Sequence, residues 1–337
     1  MERRLYHLGR EEIAPPDAVL CRDVSVTAGG HSVTIRRGTP LDEARRRLTA
    51  ATSTELAIPI VVPSADDVAQ PTASAAIAQA ITGPGVTISD PHQGQVNLMA
   101  AHAGLLRVRG NAVAALNRGT AALVATPLDG RIVDAGETVG IVKAPALFVS
   151  RAAINEALEL VAKEPVVRVA AFQAQRVALV AGARIRPAQL EVAAKQMATT
   201  LARFGAELAA VRHIPDDPAT IAETYRALIN DGSELILVAG SILLDPEDPF
   251  LLALETIGGR VIRRGAPIDP GTMFWAAEAS GVPLFGLASC EMYGRLSILD
   301  LLLPYALARE PLSYDLIAGF GYGGLLETTQ TARRLGS

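Results

Sequence analysis

ELILVAGSILLDPEDP, residues 234–249, carries a strand, a turn and a helix start within sixteen positions. Leu235-Ile236-Leu237-Val238 is an apolar run of strand length without polar alternation, the pattern of a strand buried on both faces. Gly240-Ser241 follow it, small residues that permit a tight exit. Asp248-Pro249 then read as a helix N-cap and first helical residue. A doubly buried strand that turns directly into a helix belongs to a parallel sheet covered by helices.

The same pattern repeats on either side. Val166–Phe172 and Arg176–Val180 are predicted strands, followed by a helix over Pro187–Phe204 that ends at Gly205. A strand at Glu207–Val211, a turn at Pro215-Asp216-Asp217-Pro218 and a helix over Ala219–Asn230 come next. Beyond the opening stretch lie a helix at Pro249–Ile257, a Gly258-Gly259 stop and a strand at Arg260–Arg263. The expectation is a three-layer α/β/α domain with a mostly parallel sheet over residues 166–337. Ligands in such sheets lie beyond the carboxyl ends of the strands. Three loops qualify: Val180–Arg184, Val238–Asp248 and Phe285–Glu291. Their small residues let backbone N–H groups approach an anion, although tight connections alone would also select them.

Residues 1–165 read as a mixed α+β region, open to a division into two subdomains. Ala18–Val24, His31–Ile35, Glu55–Val62, Gly104–Val108, Ala121–Pro127 and Thr138–Ala144 are predicted strands, and Gly29-Gly30 is a predicted turn. Leu41–Thr49, Ala65–Ile81, Ala112–Arg118 and Ser150–Ala162 are predicted helices. Glu164-Pro165 closes the last of these and sets the domain boundary.

Composition narrows the function. The chain has 337 residues, half of them apolar and 20% charged, enough for two globular cores. A net charge of −4 with the two signs interspersed argues against a nucleic-acid surface. Two distant cysteines, Cys21 and Cys290, exclude a disulfide framework and suit a reducing cytoplasm. The apolar runs are too short to span a bilayer, and the charged N-terminal stretch does not resemble a signal peptide. Nucleotide-binding glycine motifs, the nucleophile elbow and zinc-protease signatures are missing, and the five histidines have no metal-ligand spacing. Gly94–Leu98, between His92 and His102, could be a polar contact loop, while Phe274-Trp275 could close a pocket, form a subunit contact or pack a core.

From Val177 to Leu303 the order of elements resembles the molybdopterin-binding domain of molybdenum-cofactor biosynthesis proteins. The similarity rests on Ile214–Pro218 before a helix, Leu235–Ser241 followed by Asp248, APIDPG at 266–271 and PLFGL at 283–287. Glu137–Lys143, ETVGIVK, is similar to the lead-in of proteins of this length. The resemblance implies that molybdopterin or the molybdenum cofactor is the ligand. It would be bound by Gly182, Gly240, Ser241, Asp245, Pro270, Gly271, Gly286, Ser289 and Cys290. It further implies metal handling and catalysis at Asp216 and Asp248, with Mg²⁺ as a fitting hard ion. Both aspartates also suit a plain turn or N-cap role, and Cys290 suits a small packed residue as well as a thiolate contact.

The loops depart from the family. Gly240-Ser241 stands for a double glycine, and Gly286–Glu291 for a Gly-Leu-Pro-Gly-Asn-Pro loop. Thr272 and Glu278 fall where the insertion enzymes carry cations. These changes lean the expectation from a molybdenum insertase, or molybdopterin molybdenumtransferase-like activity, toward a carrier serving a client molybdoenzyme. A homo-oligomer is expected by resemblance, with Trp275 at an interface. Two other readings stay open: an assembly or regulatory protein that binds no cofactor, and a metal-dependent pyrophosphate hydrolase.

Overall fold

Alternate residues of the strand Arg176–Ala181 face two different cores. Val177, Leu179 and Ala181 join Leu235, Leu237 and Ala239 against the helices Pro187–Ala202 and Ile298–Leu307. Ala178 and Val180 join Ile236 and Val238 against the helices Pro218–Asn230 and Pro249–Thr256. A two-residue side-chain period in a strand with no polar face therefore generates both outer layers of a three-layer α/β/α domain.

The computed structural model describes residues 1–10, 12–28, 31–51, 55–288, 291 and 296–326. Ser289, Cys290 and the predicted Gly29-Gly30 turn lie outside the described residues. The central sheet has six strands in the order Glu207–His213, Arg176–Ala181, Leu235–Ala239, Val282–Leu287, Trp275–Ala279, Arg260–Arg264. The first four run parallel, and the last two are added antiparallel.

The chain divides into two compact units that interleave in sequence. The first comprises residues 1–99, 108–127 and 137–168; the second comprises 100–107, 128–136 and 169–337. The principal boundary thus falls three residues beyond the one read from Glu164-Pro165. Two short segments assigned from sequence to the N-terminal region instead pack in the second unit. Leu105 and Gly104 pair with Ile132 and Val133. Arg107 stacks 4.8 Å from the Tyr305 ring centroid and forms ion pairs with Asp129 and Glu310.

In the first unit, Glu2–Leu8 and Val19–Leu20 flank Leu56–Val62 in an antiparallel sheet. Tyr6, Leu20, Ile35, Leu48 and Ile58 form its core with the helix Leu41–Ala51. A four-stranded sheet, ordered Leu123–Ala125, Thr138–Lys143, Gln95–Ala100, Val86–Ile88, occupies the rest of this unit with the helices Gln70–Ile81, Gly110–Arg118 and Arg151–Val161.

Several elements differ from expectation. Ala18–Val24 breaks after Leu20, and Val24 starts the hairpin strand that pairs with His31–Ile35. The helix predicted from Ala65 begins at Gln70, because Asp67–Ala69 pairs as a short strand with Phe148–Ser150. Gln95–Ala100 is a strand rather than a polar loop; its alternating burial puts Val96, Leu98 and Ala100 inside.

Trp275 is 1% exposed, so among the possibilities for Phe274-Trp275 the structure selects the core and removes the interface role. Its cross-strand partner is Gly286, and a Cβ built on Gly286 would lie 1.9 Å from the indole Nε1. Glycine is required there by the indole lying across it. Gly286→Ala is expected to destabilise the second unit by about 3 kcal/mol through overpacking. Urea unfolding should show most of that cost vanishing when the same change is made in a Trp275→Ala background.

Candidate functional site

The carboxyl ends of the parallel strands bring the first two glycine loops into contact. The Gly182 N–H donates to the Ala239 carbonyl at 3.0 Å. Gly240 has φ of +100°, a left-handed conformation that glycine adopts without steric cost. Gly182 needs its missing side chain for another reason: a Cβ would stand 2.1 Å from Asp216 Oδ1 and 2.8 Å from Phe250 Cζ.

Asp216 closes this side of the mouth. Its Oδ1 accepts the Ala183 N–H at 2.9 Å, and its Oδ2 lies 3.5 Å from Arg184 Nε. Asp216 therefore satisfies the donor that an incoming anion would otherwise take from the first loop. Its neighbour Asp217, not Asp216, caps the next helix, accepting from Thr220 N–H and Oγ. Those two Thr220 donors hold the Asp217 carboxyl below its usual range.

Asp248 is 2% exposed and accepts four hydrogen bonds. Oδ1 takes Ser241 Oγ at 3.0 Å and the Phe250 and Leu251 N–H groups at 3.1 Å. Oδ2 takes the Ile242 N–H at 2.6 Å. Three of these bonds fall on Oδ1 and one on Oδ2, all from the loop and the helix it precedes. Ser241 Oγ also accepts from Trp275 Nε1 at 2.8 Å. Tyr225, buried in the same core, has its phenol pKa raised well above the ordinary value by burial and then by the charge of Asp248.

The other residues named from sequence are engaged in structural contacts. Asp245 makes a turn, accepting from the Glu247 N–H at 2.9 Å. Gly271, after Pro270, has φ of +121° and lies against Ile298, whose backbone N would be 2.8 Å from an added Cβ. Gly286 is covered by Trp275. Glu291, at the end of the last loop, is a buried carboxylate beside a cavity of about 90 Å³ that it shares with Asp300. Burial raises the Asp300 pKa, and the Ser297 N–H it accepts works against that rise.

No group of three or more His, Cys, Asp or Glu suited to a metal ion occurs among the described residues. Asp216 and Asp248 are each turned to protein donors and join no third ligand group, so the Mg²⁺ site does not fit and no step is derived through a metal.

Sequence reasoning passed over two cations. Among the helices that begin at this edge, the Pro218, Pro249 and Ile298 helices are capped by Asp217, Asp248 and Ser297. The sixteen-residue Pro187 helix has Arg186 at its N-cap, which cannot supply a side-chain acceptor; instead Gln189 Oε1 reaches back to accept the Arg186 N–H at 3.3 Å and its Nε–H at 3.2 Å. Arg184 and Arg186 precede it, both exposed. The signal was legible as Arg184-Ile185-Arg186-Pro187, two cations immediately before a helix-starting proline.

A family model described as "Probable molybdopterin binding domain" matches residues 177–308. The chain is similar to a molybdopterin molybdenumtransferase of Synechococcus elongatus, with 34% identity over 71 residues, 21% of this chain. The match spans 18% of that relative's length. Among solved structures, the molybdopterin biosynthesis MoeA protein of Pyrococcus horikoshii is 13% identical, covering 72% of this chain and 79% of its own, with a TM-score of 0.33. The MoaB enzyme of Thermus thermophilus is 17% identical, covering 43% and 97%, with a TM-score of 0.30.

Removing the Asp248 carboxylate uncaps a helix and leaves the Ile242 N–H and Ser241 hydroxyl without their acceptor. Asp248→Ala is expected to cost about 3 kcal/mol. Asp248→Asn should lose less, since one oxygen can still serve the Phe250 and Leu251 N–H groups. Equilibrium unfolding checks the order; equal stability of all three proteins would overturn it.

Proposed function

Because residues 177–308 belong to the molybdopterin-binding-domain family of molybdenum-cofactor biosynthesis proteins, we propose that this chain binds molybdopterin, or the cofactor made from it, at the carboxyl edge of its six-stranded sheet. The observation that carries the reading is the pair of exposed cations, Arg184 and Arg186, at the Pro187 helix start beside the contact of Gly182 with Ala239. A phosphate monoester suits that position: the positive end of the helix favours an anion, and the guanidinium groups add charge-assisted hydrogen bonds. Gly240 and Ser241 border the same mouth, where a flat pterin ring could approach the backbone closely.

In this reading the protein holds and passes on its ligand instead of inserting the metal. Asp216 tethers Arg184 and the Ala183 N–H, which orients the first loop. Asp248 fixes the second loop from beneath through four donors of the loop and the helix start. The receiving protein would be a molybdoenzyme, which would compete for the ligand at this exposed edge.

Titration of the purified chain with molybdopterin tests the proposal. Saturable binding is expected, weakened at least tenfold by combined Arg184→Gln and Arg186→Gln, since each lost charge-assisted hydrogen bond costs about 1.5–3 kcal/mol. No molybdate-dependent turnover of a nucleotide-activated pterin should accompany it. Absence of binding would overturn the binding reading. Turnover that depends on Asp216 or Asp248 would overturn the carrier role and restore the insertase.

A further inference from the structure

The first unit contains a cleft of about 1000 Å³ that the functional reading above does not use. Arg36, Arg37 and Lys143 line it together with a single acidic residue, Asp23. The Asp23 Oδ1 accepts the Arg37 backbone N–H at 2.8 Å, and no ion pair joins Asp23 to any of the three cations. Among the described residues, the side chains of Arg36, Arg37 and Lys143 have neither a hydrogen-bond nor an ion-pair partner. Some other arginines of the first unit do reach a carboxylate, as Arg10 does with Glu55 and Arg47 with Glu43. Three free cations around one concavity give a formal surplus of two positive charges in a protein whose net charge is −4.

The backbone holds these cations in place. Lys143 ends the strand Thr138–Lys143, in register with Gln95 and Leu123 on its two neighbours. The next residue, Ala144, is fixed on both sides: its carbonyl accepts from Gln70 Nε2 at 2.7 Å, and its N–H donates to Ser74 Oγ at 2.9 Å. Gln70 and Pro71 also line the cleft, and they begin the twelve-residue helix Gln70–Ile81. Its N-cap is Ala69, which has no side-chain acceptor; the Gln70 N–H donates instead to the Leu147 carbonyl at 2.9 Å, and Pro71 has no N–H. Arg36 and Arg37 follow the strand His31–Ile35 on a turn whose Gly38 N–H donates to the Leu20 carbonyl at 2.8 Å.

Much of the remaining wall is apolar. Leu123, 55% exposed, and Leu147 line the same space. We infer that this cleft is a second ligand site, for a small organic phosphate whose anionic group meets Arg36, Arg37 and Lys143 while its apolar part covers Leu123 and Leu147. The volume is that of a small-molecule site. An extended nucleic acid would need a continued basic track beyond the three cations.

The inference stands independently of the site in the second unit, and the experiment separates the two. Inorganic phosphate and phenyl phosphate are titrated calorimetrically into the full chain at low salt. Phenyl phosphate should bind saturably and several-fold more tightly than phosphate. Lys143→Gln, and separately Arg36→Gln with Arg37→Gln, should weaken it about tenfold or more. The Arg184→Gln, Arg186→Gln protein should keep this binding step. Because the substituted side chains have no partners in the fold, the unfolding temperature is expected to stay unchanged. Non-saturable binding, or loss of binding only in the Arg184, Arg186 variant, would overturn the site. Equal affinity for the two probes would overturn its organic half.

Discussion

The carboxylate of Asp248 is the constraint on which the ligand-bearing edge of the second unit depends. One buried side chain fixes the start of the Pro249 helix, the Ile242 amide and the Ser241 hydroxyl. Through Ser241 it reaches the indole of Trp275, and through the indole it dictates glycine at position 286. A buried charge is tolerable only when hydrogen bonds replace its lost hydration. Here the replacements come from a loop, a helix start and, one bond further, an antiparallel strand. The polar chain thereby couples three elements that hydrophobic packing alone would leave free to slide.

The parallel core was legible because its strands are apolar on both faces, so each run stands out as a block. The readings at 176–180 and 235–238 fall on strands. What escaped were elements whose composition contradicts their conformation. Glu2–Leu8 begins with exposed charges on an edge strand, and only Tyr6 and Leu8 reach the core. Trp275–Ala279 has three alanines and a glutamate, helix-forming residues held extended by pairing on both sides. Ile298–Leu307 is buried almost all round and carries Pro304, so neither amphipathic period nor absence of proline marked it as a helix.

The candidate site was legible to the level of loops but not of roles. Gly182, Gly240, Ser241, Asp216 and Asp248 do gather at the carboxyl edge, because strand order alone brings the first two loops together. Why each residue is there depends on tertiary contacts that no spacing encodes. Gly182 makes room for Asp216 and Phe250, and Gly286 makes room for Trp275. The arginines before Pro187 were visible throughout. They became notable only when the neighbouring helix starts proved to carry an aspartate or serine cap and theirs an arginine.

Ser241 shows how a departure from a family pattern can be compensation and not loss. A second glycine at this position would leave the Trp275 indole N–H buried without its acceptor, at a cost of about 1–3 kcal/mol. It would also remove one of the four donors to Asp248. With serine, the hydroxyl gives its proton to the carboxylate and receives the indole's, so both buried groups are satisfied by one side chain. The same change alters what the loop can do. A double glycine leaves backbone amides and conformational freedom for a ligand, whereas Gly240-Ser241 anchors the loop to the protein's own core. A loop anchored in this way is preorganised to receive a ligand, with less freedom to close around a reacting one.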